Sequence, residues 1–98
     1  MASTKDFQEK VVAKLEKFGE IKCRPMMGEY LLYLDEVLIG GIYDNKLLLK
    51  ETRENLNYEL PQIIPYSSAK RTMLYVEDLG DEDILGKIVL DTKRGLGK

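Results

Sequence analysis

The stretch Tyr30-Leu31-Leu32-Tyr33-Leu34-Asp35-Glu36-Val37-Leu38-Ile39-Gly40-Gly41-Ile42-Tyr43-Asp44-Asn45-Lys46-Leu47-Leu48-Leu49-Lys50 decides the fold. Its apolar runs have strand length and are separated by polar pairs, Asp35-Glu36 and Asp44-Asn45. Connections that short allow only tight hairpins, and asparagine tolerates the left-handed backbone that such turns require. The stretch therefore predicts a three-strand antiparallel meander. Tyr30 to Leu34 is apolar on both faces, as in a strand covered on one side and lined by tyrosines on the other. Gly40-Gly41 in mid-strand sacrifices packing and entropy, so either a bulge forms there or a helix or ligand comes close to the backbone.

Upstream, Phe7, Val11, Leu15 and Phe18 recur at intervals of four, four and three. With Ser3 or Thr4 as cap and Gly19 at the αL C-cap position, this spacing predicts an amphipathic helix over 4–18. Ile21 to Arg24 reads as a short strand that Pro25 ends or confines to a sheet edge. Downstream, Thr52 to Leu60 reads as a short helix capped by Thr52 and stopped by Pro61. Ile63 to Tyr66 is a short extended piece, Ser67 to Lys70 a loop, and Thr72 to Val76 the last strand. Asp78 through Asp83 introduces a helix with the stripe Ile84, Leu85, Ile88 and Val89, and residues 93–98 form a frayed basic tail. The order is αβββαβα, with weak strands allowed before the meander and before the last strand. It predicts one α+β domain over 1–98, a two-layer fold with a mostly antiparallel sheet and helices on one face.

Composition bounds the chemistry. A chain of 98 residues can bury about 65% of its unfolded surface, enough for one modest core. There is no histidine and no tryptophan, and Cys23 is the single cysteine. The commonest general base and neutral metal ligand are thus missing, as are internal disulfides and cysteine-cluster metal sites. Fifteen basic and seventeen acidic side chains leave a net charge of −2, which argues against a nucleic-acid module. The N-terminus carries no signal or myristoylation pattern, and the longest apolar run, Val37 to Tyr43, is far too short to span a bilayer. These features predict a cytoplasmic protein without membrane attachment.

Candidate reactive groups fail one by one. The acidic run Glu77, Asp78, Asp81, Glu82, Asp83 lacks the ligand spacing of a calcium loop and suits a helix start, with Asp81 as cap. Cys23 has no histidine to activate it and at strand spacing points into the core. Ser67-Ser68 with Lys70 hints at a Ser–Lys pair but has no recognisable oxyanion element. No catalytic residue, cofactor or metal is expected. The remaining set is tyrosines with basic residues. Tyr30, Tyr43, Tyr66 and Tyr75 lie near Arg24, Lys50, Lys70 and Arg71, a composition shared by half-buried sheet faces, protein interfaces and single-strand nucleic-acid platforms.

Arg24-Pro25-Met26-Met27-Gly28-Glu29-Tyr30-Leu31-Leu32-Tyr33 resembles the signature of the TfoX (Sxy) N-terminal domain family. The likeness continues through Ile39 to Lys50, then Ile64-Pro65-Tyr66, Ala69-Lys70 and Met73 to Asp78, covering roughly positions 4 to 92. Pro25 stands where the family often has lysine, and Ser67-Ser68 where it often has glutamate and glycine, so roles at those positions are not carried over. The resemblance implies a secretion-chaperone-like fold and membership of a bacterial group associated with competence and transcription regulation. Longer members append a domain similar to a helix-hairpin-helix nucleic-acid binder, and nucleic-acid binding is not expected of this chain without it. Residues and resemblance together predict a non-enzymatic protein that binds a protein partner, with a homodimer as one form. The candidate interface is Arg24, Met27, Gly28, Tyr30, Tyr43, Lys50, Tyr66 and Lys70, with Met27 offering adaptable contact and Gly28 an unobstructed turn. Two alternatives stand beside it. One is nucleic-acid binding through the same face plus Lys93, Arg94 and Lys98; the other is a small-metabolite binder or minor enzyme using the glycine pair.

Overall fold

Tight turns build the sheet. Both central residues of Met27-Gly28, Asp35-Glu36 and Asp44-Asn45 have positive φ, between 49° and 86°, as two-residue hairpins with the native strand twist require. The computed structural model describes residues 3–97. Its elements are α1 (Lys5–Leu15), β1 (Ile21–Met26), β2 (Glu29–Leu34), β3 (Val37–Tyr43), β4 (Lys46–Leu49), β5 (Gln62–Ile63), β6 (Met73–Val76) and α2 (Glu82–Leu96). The meander is extended on both sides into one six-stranded sheet of order β1-β2-β3-β4-β6-β5, antiparallel throughout. Both weak strands allowed by the sequence are present. β1 continues through Pro25, which sits opposite Tyr30; an edge strand tolerates the missing N–H.

Each helix starts at the expected cap. Thr4 Oγ1 accepts from the Phe7 N–H at 3.2 Å, and Asp81 Oδ1 accepts from the Ile84 N–H at 3.2 Å. Val11 and Leu15 of α1 and Leu85, Ile88 and Val89 of α2 are buried against Leu32, Leu34, Ile39, Ile42, Leu47 and Leu49 of the sheet. Both helices thus share one core on one sheet face. Past α1 a 3₁₀ turn carries Glu16–Phe18, and Gly19 adopts φ 155°, ψ −171° in place of the expected αL cap.

The glycine pair marks a bulge. Leu32 pairs with Gly40 and Tyr33 with Leu38, which leaves Ile39 without an opposite residue. The extra residue lets Ile39 and Ile42, three apart, both face the helices; both are fully buried. It also sends Tyr43 to the opposite face. A side chain at Gly40 would lie 2.1 Å from the Leu48 carbonyl oxygen, and one at Gly41 would lie 2.5 Å from that of Tyr30. Bulge formation and close backbone approach therefore coincide.

Two expectations are corrected. Residues 52–60 do not form a helix; only a 3₁₀ turn over Leu56–Tyr58 is present. Asn55 is the reason. Its fully buried side chain accepts from the Thr52 N–H at 2.8 Å and donates to the Lys50 carbonyl at 2.9 Å and to Thr92 Oγ1 at 2.8 Å. A side chain spent on the local backbone competes with a helix. The second correction concerns the tail. α2 runs on to Leu96, and Gly97 N–H still donates to the Lys93 carbonyl at 2.7 Å. Lys93 pairs with Asp35 at 2.8 Å, which docks this segment, and Arg94 pairs with Asp91 within α2 at 2.8 Å. Met1 and Ala2, part of the N-terminal signal reading, and Lys98, the last tail residue, lie outside the described residues.

Candidate binding cleft

Strand alternation assigns one sheet face to the helices and leaves the other to Arg24, Leu31, Gly41 and Leu48, which lie side by side across β1 to β4. Tyr43, two residues after Gly41, emerges on this same free face. The connection from β5 to β6 runs along it, with Pro65, Tyr66 and 68–72 forming the far wall of an open cleft of about 1140 Å³. Leu31, Leu38, Tyr43, Met73 and Leu96 supply apolar lining.

Tyr43 forms the floor. Because Gly41 has no side chain, the Tyr43 ring can lie down on the sheet; a Cβ at Gly41 would stand 2.8 Å from its Cε2. Tyr43 is only 7% exposed. Burial, helped by the neighbouring Tyr66 and Glu29, holds its phenol above the usual tyrosine range, so it stays neutral. Tyr66 leans on it with centroids 6.3 Å apart and planes at 44°, a tilted contact typical of aromatic pairs, and remains 53% exposed.

Cations ring the opening. Lys50, Lys70 and Arg71 all line the cleft and are exposed, and among the described residues none of them is ion-paired. Lys50 is held by its backbone, donating to Ile39 at 2.8 Å and accepting from Asn55 at 2.9 Å. The carboxylate of Glu51 also lines the cleft, but its Oε2 is engaged by Thr72 Oγ1 at 2.5 Å and Gln62 Nε2 at 3.0 Å. It works as a clasp between β5 and the far wall.

Of the residues singled out from sequence, Tyr43, Lys50, Tyr66 and Lys70 meet in this cleft. Arg24 shares the free face but lies over the Tyr33 ring, 6.0 Å from its centroid. Met27 and Gly28 form the β1–β2 turn, where Met27 is 97% exposed. Tyr30 packs against the core on the helix face. Leu31, Leu38 and Met73 line the cleft although they were not among those residues, and Arg71, named beside the tyrosines but left out of the candidate interface, lines it too. The alternation of β2 and β3 would have revealed the first two, had the bulge been located.

The other sequence candidates have structural roles. Asp81 caps α2, Asp78 accepts from the Gly80 N–H at 2.8 Å, and Glu82 pairs with Lys17. Cys23 packs against the core, and burial raises its thiol pKa despite a hydrogen bond from Gln8. Ser68 lines the cleft while Ser67 does not.

A model of the TfoX N-terminal domain matches residues 13–78. That range holds the meander and every cleft-lining residue except Leu96. An uncharacterised 12.7 kDa protein "in trpE 5′ region" of Spirochaeta aurantia is 36% identical over 72 residues, covering 71% of this chain and 63% of its own length. This chain thus spans a little under two thirds of that relative. By the extent of the match and the order of its segments, the chain belongs to the TfoX N-terminal domain family.

Proposed function

We propose that this domain is a non-enzymatic regulatory module that holds a protein partner in the cleft between the free sheet face and the β5–β6 connection. The observation that carries the reading is the cleft's composition. It joins apolar walls and an exposed tyrosine to three cations that form no ion pair among the described residues, which is the apolar centre and polar rim of a protein interface. A regulatory role accords with the family, which is associated with competence.

Nucleic acid fits less well. Single-strand platforms present several accessible ring faces, whereas Tyr43 is buried and leans on Tyr66. The tail cations Lys93 and Arg94, which would extend such a surface, are engaged by Asp35 and Asp91. A metabolite at the glycine pair is not needed to account for it, since protein atoms fill the space above both residues.

Capture from source-cell lysate tests the reading, with the Lys50→Glu/Tyr66→Ala double variant as comparison. Both residues are exposed, so the fold is spared. The wild type is expected to retain proteins that the variant loses; an identical captured set contradicts the assignment.

A further inference from the structure

We propose that the cleft selects an acidic segment of its protein partner, one that carries aliphatic or aromatic residues among its carboxylates; this rests on the protein-binding reading above. The argument is charge complementarity within an apolar frame. Lys50 stands at the end of β4, and Lys70 and Arg71 stand on the opposite wall, so cations face the opening from both sides. The single carboxylate among the lining residues, Glu51, is bonded to Thr72 and Gln62 and to none of these cations, so three cations against one carboxylate leave the lining with a net positive charge. The whole chain nevertheless carries a net charge of −2. Its surface away from the cleft therefore repels an acidic partner weakly while the cleft attracts it, which fixes where such a segment lands.

The apolar lining decides between kinds of anion. Leu31, Leu38, Pro65 and Met73 share the lining with the cations, and a phosphate or a polyphosphate would leave that surface unused. A volume of about 1140 Å³ exceeds the usual range of small-molecule pockets, and the cleft is open along its length. A peptide whose carboxylates reach Lys50, Lys70 and Arg71 while its apolar side chains cover the floor uses both properties. Tyr66, exposed at the rim and braced by Tyr43, supplies a rigid contact of low entropy cost.

Amide chemical-shift titration of the 15N-labelled chain tests this directly. The probes are a peptide alternating glutamate with leucine and phenylalanine, its glutamine counterpart, a single-stranded oligodeoxynucleotide, and inorganic phosphate. The acidic peptide is expected to shift residues 66–72 and Lys50, and to bind at least about tenfold more weakly when salt rises from about 50 to about 300 mM. Lys50→Glu/Lys70→Glu is expected to abolish these shifts while leaving the spectrum folded. Equal binding by the glutamine peptide, tighter binding of the oligonucleotide or of phosphate at the same residues, or no shift with the acidic peptide overturns the proposal. The two readings fail separately. Loss of lysate partners in the Lys50→Glu/Tyr66→Ala variant, together with an inert acidic peptide, keeps the protein-binding assignment and discards only the acidic specificity.

Discussion

At Gly40 the absence of a side chain is a steric requirement. A methyl group there would meet the backbone of β4, at 2.1 Å from an oxygen and 2.8 Å from the Leu49 Cα, and backbone cannot turn aside as a rotamer can. Gly40→Ala is expected to destabilise by at least about 2–3 kcal/mol, read as a lower denaturation midpoint. A neutral result would mean that β3 and β4 are not so closely apposed. Met27 makes the opposite case. It holds φ 51° while almost fully exposed, so it bears left-handed strain with little packing in return. Met27→Asn is expected to stabilise by about 0.5–1 kcal/mol and to leave partner capture intact, because Met27 lies outside the cleft. At this scale the sequence displayed Gly40-Gly41 plainly as a defect in a strand. It did not display which neighbouring residue was bulged, because that depends on the register with β2.

Elements differ in how far their local signals decide them. α1 and the meander follow their apolar periods closely, since burying one face is what those periods encode, and α2 buries Leu85, Ile88 and Val89 of its expected stripe while Ile84 stays 44% exposed. Residues 52–60 do not, because Asn55 bonds to Thr52, Lys50 and Thr92, the last of them 37 positions away. No local spacing announces such a partner. Thr92 in turn donates to the Ile88 carbonyl at 2.7 Å, so the network ties the β4–β5 connection to the second half of α2. Asn55→Ala is expected to cost about 2–3 kcal/mol by leaving buried polar groups unpaired. Thr92→Val, which removes one partner and keeps the shape, is expected to cost about 1–2 kcal/mol. The double variant should cost clearly less than the sum; simple additivity would show that the two residues do not act together. The same logic accounts for the tail, where Lys93 finds Asp35 only after the chain has folded.

For the whole molecule, the ion pairs set the response to acid. Asp35 is held below the ordinary carboxylate range first by the hydrogen bond from Lys93, with the Glu20 N–H adding; Glu82 is held below it by Lys17. A group with a depressed folded pKa contributes stability that is present above its unfolded value and is lost as pH falls through the folded one. Thermal stability is therefore expected to fall as pH drops below about 4, and Lys93→Met is expected to flatten part of that fall. An unchanged acid slope in Lys93→Met would show that the α2 terminus is not held by Asp35. The molecule also explains why half of the candidate site was legible. Tyr43, Lys50, Tyr66 and Lys70 converge because a bulge, a glycine and a returning loop bring them to one face. Tyr30 has the same residue type as Tyr43 but the opposite strand parity, and it goes to the core. Tyrosine beside lysine identifies a composition; only register and loop path assign it to a face. Site-specific photocrosslinking in the source cell tests the central claim most directly, with a photoreactive amino acid placed at Tyr66 or Lys70 in the cleft and at Lys87 or Leu90 on the outer side of α2. The account predicts discrete protein adducts from the two cleft positions and none from the helix positions. Adducts from α2 with a silent cleft would contradict it.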